Sequence, residues 1–427
     1  MAKKENRHAE LVSASANIEA PYELPDGWKW CRLGDVCKFE NGHAFKSDKF
    51  AEHGTPVIRI TNIKDNEVSL DDCAYTTETS IDERFLVKKG DLLIAMSGAT
   101  TGKNGIYCND DKAYLNQRVG NIKVIDTNVL CDKYRNYYIQ SKEQEILLSA
   151  YGGAQPNISS NKISAMAFPL PPTLAEQQHI VNRIETMFAK LDQAQEKAQA
   201  VLDSFETRKA AILHKAFTGQ LKIDNEELTI EDWEETTIGE CCKLGSGGTP
   251  SKSHPEYYEN GDIPWLKTGE IDWNDIYDVE EKITNAGVEN SSAKIFPAES
   301  VVVAMYGMGV TRGKAAIIKI PTTTNQAVCV LQPNEKVNNR FLFYYFMCNY
   351  WQIREQSVGG NQLNLSGKII ASFSIKLPPL NYQLSIVNFL DTVLEKESSA
   401  KEAAKTVLDK IALLKKSILA RAFRGEL

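Results

Sequence analysis

Along residues 180–212 the positions Ile180, Ile184, Met187, Leu191, Ala194, Ala198, Val201, Phe205, Arg208 and Ile212 alternate spacings of four and three. This is a heptad seam with one polar interruption, Arg208. The pattern returns at Ile386, Leu390, Val393, Glu397, Ala400, Ala404, Val407, Ile411, Leu414 and Ile418, again with one polar interruption, Glu397. Each helix alone would leave its stripe in water, so the two are expected to pair with each other. Thr173 and Glu176, just after Pro171-Pro172, make a capping-box pattern, and Gly219 is a plausible stop. About 40 residues at 1.5 Å each give a rod of roughly 60 Å.

The remainder reads differently. Val57-Ile58-Arg59-Ile60, Asp91–Ala95, Asn121–Ile125, Ser300–Ala304, Ala315–Ile320 and Ala327–Leu331 are short β-rich runs bounded by Gly, Pro and Asn. Residues Asp132–Ser149 and Asn339–Gln356 look helical. Two loop-rich α/β parts are therefore expected, at about 25–170 and 228–377.

These parts are copies. Residues 180–221 align without a gap onto 386–427, with 18 identities in 42 positions. Upstream the match weakens but keeps its order: Trp28 and Gly34 with Trp233 and Gly239, Ala95-Met96 with Ala304-Met305, Gly102-Lys103 with Gly313-Lys314, and Asn116-Gln117 with Asn325-Gln326. Gly152-Gly153 and Pro171-Pro172 then pair with Gly359-Gly360 and Pro378-Pro379. The chain is a tandem duplication of a globular part followed by a helix. Residues 1–24 precede the repeat and carry no assigned role.

Composition sets limits on chemistry. The 427 residues suit two domains, and no apolar run approaches the roughly 18 residues of a membrane span. A polar N-terminus without an apolar core, and nine cysteines never spaced CxxC, are read as a soluble, cytoplasmic chain with reduced thiols. No metal site and no catalytic residues are expected. The six histidines are scattered, and no GxSxG elbow or Asn-Pro-Pro-aromatic motif occurs. Gly98–Lys103 and Gly309–Lys314 read GxxxGK, one residue short of a phosphate-binding P-loop and lacking its Ser or Thr, so a glycine-rich hairpin is favoured. Gly307-Met308-Gly309 lacks the third glycine of a dinucleotide fingerprint.

The net charge of −7 argues against nucleic acid until its distribution is seen. Residues 84–170 carry 11 Lys+Arg against 7 Asp+Glu, and 290–377 carry 9 against 3, whereas the preceding stretch of each copy is acidic. Local surfaces of this kind can meet phosphates, because screening limits distant charges. Internal charge balance is the competing explanation. The candidate DNA-binding residues are Arg59, Lys103, Asn116, Gln117 and Arg118 in the first copy and Lys267, Arg312, Lys314, Asn325 and Gln326 in the second. Asn and Gln can pair bidentately with adenine, and Arg or Lys with guanine. The repeated Asn-Gln also suits a turn shared by both scaffolds. The helix-pairing set is Ile180, Ile184, Leu191, Phe205, Ile212 and Phe217 with Ile386, Leu390, Val407, Ile411, Ile418 and Phe423.

The order of globular part, Leu-Pro-Pro (170–172, 377–379) and a long helix ending Ala-Ile-Leu-His-Lys-Ala-Phe-Thr-Gly-Gln-Leu (211–221) or Ser-Ile-Leu-Ala-Arg-Ala-Phe-Arg-Gly-Glu-Leu (417–427) resembles the specificity subunit of Type I restriction-modification enzymes. The similarity covers nearly everything after residue 24. It implies an α+β fold with target recognition domains at 25–170 and 228–377, and conserved helical spacers at 171–227 and 378–427. The helices would form an antiparallel coiled coil, giving pseudo-twofold symmetry. It further implies double-stranded DNA, two modification subunits and restriction/translocase subunits as partners, with S-adenosylmethionine on the modification subunits and no cofactor on this chain. The acidic first half of the second domain departs from the expected phosphate-binding surface. An alternative is a scaffold whose paired helices gather partners without reading DNA.

Overall fold

The computed structural model describes residues 18–78, 80–151, 156–221, 230–307, 309–357 and 364–427. Gly152-Gly153, Gly359-Gly360, Met308, residues 1–17 and the segment 222–229 lie outside the described residues. The chain divides into two compact units, one formed by the residues up to Ala198 with Thr406–Leu427, the other by Gln199–Lys405.

In the first unit the strands are β1 (Lys29–Arg32), β2 (Cys37–Asn41), β3 (Thr55–Ile58), β4 (Ile63–Lys64), β5 (Asn66–Val68), β6 (Ala74–Thr76), β7 (Leu86–Val87), β8 (Leu92–Ala95), β9 (Asn104–Ile106), β10 (Ala113–Leu115), β11 (Val119–Val124) and β12 (Ala167–Leu170). They make a six-stranded sheet in the order β2-β11-β8-β9-β5-β4, a four-stranded sheet β6-β3-β10-β7 and the pair β1-β12. Alternate residues of the central strand β8 enter different cores. Leu92 and Ile94 pack with Ile122, Tyr134 and Phe168 on the helical side. Leu93 and Ala95 pack with Ile58, Leu115 and Val119. Both faces are covered, which is why this strand is apolar throughout instead of alternating. The helical side is supplied by α1 (Asp132–Ser141) and α2 (Glu143–Ser149), a single helix in the sequence reading that breaks at Lys142.

The second unit repeats the plan. Its strands are β13 (Glu234–Thr237), β14 (Cys242–Ser246), β15 (Ile263–Leu266), β16 (Asp275–Ile276), β17 (Lys282–Ile283), β18 (Ile295–Phe296), β19 (Val301–Ala304), β20 (Ala315–Ile318), β21 (Thr322–Thr324), β22 (Val328–Pro333) and β23 (Ser374–Leu377). A five-stranded sheet β14-β22-β19-β20-β16 faces a four-stranded sheet β17-β15-β21-β18, and β13 pairs with β23. Val301 and Val303 join one core, Val302 and Ala304 the other. Again the helix after the sheet is broken, into α4 (Asn339–Cys348) and α5 (Tyr350–Glu355).

The two long helices are α3 (Leu174–Phe217) and α6 (Leu380–Ala422). In the second unit Arg208 bridges Glu397 at 2.8 Å through Nη2 and 2.9 Å through Nε, and Lys401 reaches Glu206 at 3.5 Å. Later positions of α3 thus meet earlier positions of α6, so the helices run antiparallel. The polar interruption of each seam faces the other, each charge finding a partner where it would otherwise be stranded among apolar side chains. In the first unit Lys415 donates to Asp192 at 2.6 Å and lies 5.6 Å above the Phe188 ring. Ile180, Ile184, Ile386, Leu390, Phe205 and Ile411 are buried, Leu191, Ile212, Phe217 and Ile418 half-buried. Val407 and Leu414 are 39% and 49% exposed, and the adjacent Leu408 and Lys415 turn partly inward. A straight helix of 3.6 residues per turn drifts from a 3.5-residue repeat by about 20° per heptad, enough to move the stripe one position.

Helix ends close each unit. Gly219 and Gly425 have φ of +70° and +71°, and Gln220 and Glu426 donate backbone N–H groups to the carbonyls of Lys215 and Arg421, a left-handed stop that glycine favours. At the start of α3, Thr173 Oγ1 caps the Glu176 N–H, but the Glu176 carboxylate turns away to accept the Trp28 indole N–H at 2.6 Å. The capping box is therefore half made, its acid diverted to fasten the first strand region onto the helix. Among the described residues no helix is long and apolar enough to cross a membrane.

Candidate nucleic-acid interface

In both units a parallel strand pair brings the candidate residues to one edge. Strand β3 pairs with β10 (Leu115 opposite Ile58), and β15 with β21 (Thr324 opposite Leu266). Arg59 and Lys267 follow the first strand of each pair, Asn116-Gln117-Arg118 and Asn325-Gln326 the second. The backbone frame is the same: Asn116 N–H donates to Ile58 O at 3.0 Å and Asn325 N–H to Leu266 O at 3.1 Å. Each Asn side chain accepts from the amide two residues on, Arg118 at 3.4 Å and Ala327 at 3.1 Å. The two asparagines are thus built into the turn, and the residues after them are the exposed ones. A Cβ on Gly42 would stand 2.1 Å from Asn116 O, and one on Gly247 1.9 Å from Thr324 O, so both sites require glycine.

Around this frame the first unit is open. Gln117 and Arg118 line a cleft with Asn41, Ser97 and Asn157. Arg59 and Lys103 share a second cleft that also holds Asp65, Asp71 and Asp72. Arg59 is half-buried; its Nη2 donates to Asp72 O at 2.9 Å, its guanidinium lies 6.0 Å over Phe50, and its Nε is buried without an acceptor. Lys103 and Arg118 are exposed and enter no ion pair among the described residues. Gly98 and Gly102, with φ of +76° and +89°, shape the β8–β9 connection that carries Lys103. This GxxxGK segment is a hairpin between antiparallel strands.

In the second unit two of the candidate cations are already engaged by carboxylates. Lys267 pairs with Glu281, and Lys314 with Asp272. Lys319 reaches Glu299 at 2.8 Å, Lys336 reaches Glu234 at 2.8 Å, and Arg340 reaches Asp275 at 2.6 Å. Hydrogen bonding to Lys319 holds the Glu299 carboxyl below its usual range despite opposing burial. Lys314, Lys336 and Arg340 of the basic half thus pair with carboxylates of the acidic half. Gln326 Oε1 accepts from Thr249 at 2.6 Å, and the Arg312 carbonyl accepts from Arg354 Nη1 at 2.6 Å. Among the described residues no His, Cys, Asp and Glu cluster could hold a metal ion.

A further pair of residues escaped the sequence reading. Gln177 and Gln383, equivalent in the repeat and fully buried, staple each long helix to its domain. Gln177 accepts the Cys131 N–H at 2.8 Å and donates to Val129 O at 2.9 Å. Gln383 accepts the Asn338 N–H at 2.9 Å and donates to Lys336 O at 2.8 Å. Their one signal was recurrence at matched positions in two helix starts.

The family described as Type I restriction modification DNA specificity domain matches twice, at residues 25–202 and 230–408. The chain belongs to that family. The EcoBI specificity subunit of Escherichia coli is 26% identical over 445 residues, covering 96% of this chain and 88% of that protein. The EcoR124I/EcoR124II specificity subunit of Escherichia coli is 26% identical over 372 residues, covering 85% and 86%. Two solved structures share the fold at 18% identity. The HsdS subunit from Thermoanaerobacter tengcongensis has a TM-score of 0.65, covering 96% of this chain and all of that one. A chain from a study of assembly and conformational transition in the type I R-M system has a TM-score of 0.72, covering 95% and 100%. The specificity subunit is thus non-catalytic, and its two matched domains coincide with the two strand-pair frames described above.

Proposed function

We propose that this specificity subunit reads a bipartite duplex target, one recognition domain per half-site, and that its paired helices dock two modification subunits and the restriction/translocase subunits. S-adenosylmethionine would be held by the modification subunits, and the assembly would work in the cytoplasm. The reading is carried by one observation: the two domains hold the same turn with the same backbone hydrogen bonds and a glutamine on each, Gln117 and Gln326, yet differ beside it, Arg59 and Arg118 in one standing where the other has Lys267 and Ala327. A shared scaffold with divergent side chains around it is what two unlike half-sites call for. A scaffold that only gathers partners has no need of that divergence.

The test is a gel shift with the chain assembled with its modification subunits, on a duplex containing the motif methylated in the host and on the same duplex with either half scrambled. Tight binding to the intact motif alone supports the reading. Equal binding to all three, or none, leaves the scaffold alternative standing.

A further inference from the structure

The segment 96–103 of the first unit and residues 309–314 of the second occupy equivalent places, each lying between two antiparallel strands and resting on the short helix that follows the sheet. A Cβ on Gly102 would stand 2.7 Å from the Glu143 carbonyl of α2, and one on Gly313 3.1 Å from Arg354 of α5. The side chains that meet there have changed. Thr101, Glu143, Gln144 and Leu147 in the first copy stand where the second has Arg312, Tyr350, Trp351 and Arg354. In the first copy burial pushes the Glu143 carboxyl above its usual range, against the pull of Lys103 and Lys416. The second copy has no acid at that place and two guanidinium groups instead.

Arg354 is held as a brace. Its Nη1 donates to Arg312 O at 2.6 Å and to the Tyr350 hydroxyl at 3.1 Å, its Nη2 to Gly309 O at 2.7 Å. The Tyr350 hydroxyl donates to Val310 O. The guanidinium lies 5.2 Å from the Tyr350 ring centre and 5.7 Å from that of Trp351. Every one of these acceptors is neutral, so the braced charge is not cancelled by them. Burial, and then the neighbouring Arg354, hold the Arg312 guanidinium below its ordinary value. Beside them Trp351 is 66% exposed and Val310 57%. Met305 N–H donates to Ala327 O at 2.9 Å, which joins this patch to the Asn325-Gln326 turn.

We propose that the second recognition domain grips the phosphate backbone of its half-site through Arg354, with the Trp351 indole packed on the adjoining deoxyribose. This rests on the DNA-recognition reading above. It gives the second domain the phosphate contact that Lys314, engaged by Asp272, is poorly placed to make, while the first domain offers its exposed Lys103. Arginine suits the task because one guanidinium can hold the loop through several N–H groups and still present its delocalised charge to a phosphate.

The test uses the assembled complex and fluorescence-anisotropy salt titrations on two duplexes, one carrying the methylated motif and one of unrelated sequence. Arg354→Gln is expected to weaken both by a similar factor, about tenfold, and to lower the slope of log affinity against log salt by roughly one. Arg354→Lys, which keeps the charge and loses the fork, is expected to retain the slope. Trp351→Ala, remote from the core, should weaken both duplexes with the slope unchanged, and Gln144→Ala in the first domain should change nothing. If Gln and Lys at position 354 are equally harmful with wild-type slope, the residue only braces the loop and the proposal fails. It fails too if the variants lose modification subunits yet bind DNA normally once assembled, which would make the patch a protein-docking surface. Wild-type complex that binds no DNA overturns the recognition reading itself, whereas wild-type binding with unaffected variants overturns this assignment alone.

Discussion

Replacing Phe423 with alanine probes how the end of α6 completes the first unit. The ring is 2% exposed and meets Tyr134 and Tyr138 edge-on at centroid distances of 5.2 and 5.1 Å. Its peptide carbonyl accepts the Tyr22 hydroxyl at 3.0 Å. Removing a buried phenyl group costs about 3–5 kcal/mol, the upper end applying where neighbours cannot collapse into the space. Here the neighbours are large rings fixed by their own hydrogen bonds, Tyr134 Oη to Pro169 O at 2.9 Å and Tyr138 Oη to Ala167 O, so little collapse is expected. Because the chain has two units, a single global transition is a poor readout. Amide exchange read by mass spectrometry resolves the units separately, and the loss should accelerate exchange in Asp132–Ser141 by about 10²–10⁴-fold, with the second unit's Asn339–Cys348 unaffected. Phe217→Ala, at the equivalent but only half-buried position against Phe341 at 4.9 Å, should give a smaller acceleration confined to the second unit. Less than a fivefold change for Phe423→Ala, or equal changes in both units, would refute this account of the helix ends.

The Arg208–Glu397 pair should behave as a matched exception to the seam: Arg208→Leu alone lowers stability by about 1–3 kcal/mol, while Arg208→Leu with Glu397→Leu, which gives both positions the residue type of their repeat equivalents Leu414 and Leu191, recovers or exceeds the wild-type amide-exchange protection of the second unit's helices. Glu143 is held above its usual pKa by burial, so its ionisation costs stability at neutral pH and that cost vanishes as pH falls below the ordinary carboxylate range; Glu143→Gln should therefore stabilise the protein at pH 7 and make no difference near pH 3.5. Lys103→Ala should weaken DNA binding equally for all sequences and lower the salt slope by roughly one, whereas Lys314→Ala should do less, since its ammonium is already paired with Asp272.

Much of this was legible in the sequence because duplication gives each reading a second witness. The seams, their two polar interruptions, the glycine stops and the apolar strands Leu92–Ala95 and Val301–Ala304 all follow from local spacing and composition. That Arg208 would answer Glu397 was implicit in two broken heptads but needed the antiparallel register to appear. Parallel pairing of β3 with β10 and of β15 with β21 was not legible, since strand order depends on contacts between residues more than 50 positions apart. Nor were the Gln177 and Gln383 staples, because a glutamine on a helix reads as a solvated face until its neighbours are known. The charge gradient was correctly counted, but counts do not say which cations are paired. Lys267 and Lys314 find carboxylates in their own domain, while Lys103 and Arg118 remain exposed.

The central claim is that each domain reads one half of the target independently, and exchanging a domain tests it most directly. Residues 25–170 are replaced by the corresponding domain of a relative with a different target, the chimera is expressed with its modification subunits, and the methylated motif is read by single-molecule sequencing of genomic DNA. The account predicts a hybrid motif in which one half changes and the other half is kept. A motif altered in both halves, or unaltered in either, would contradict it.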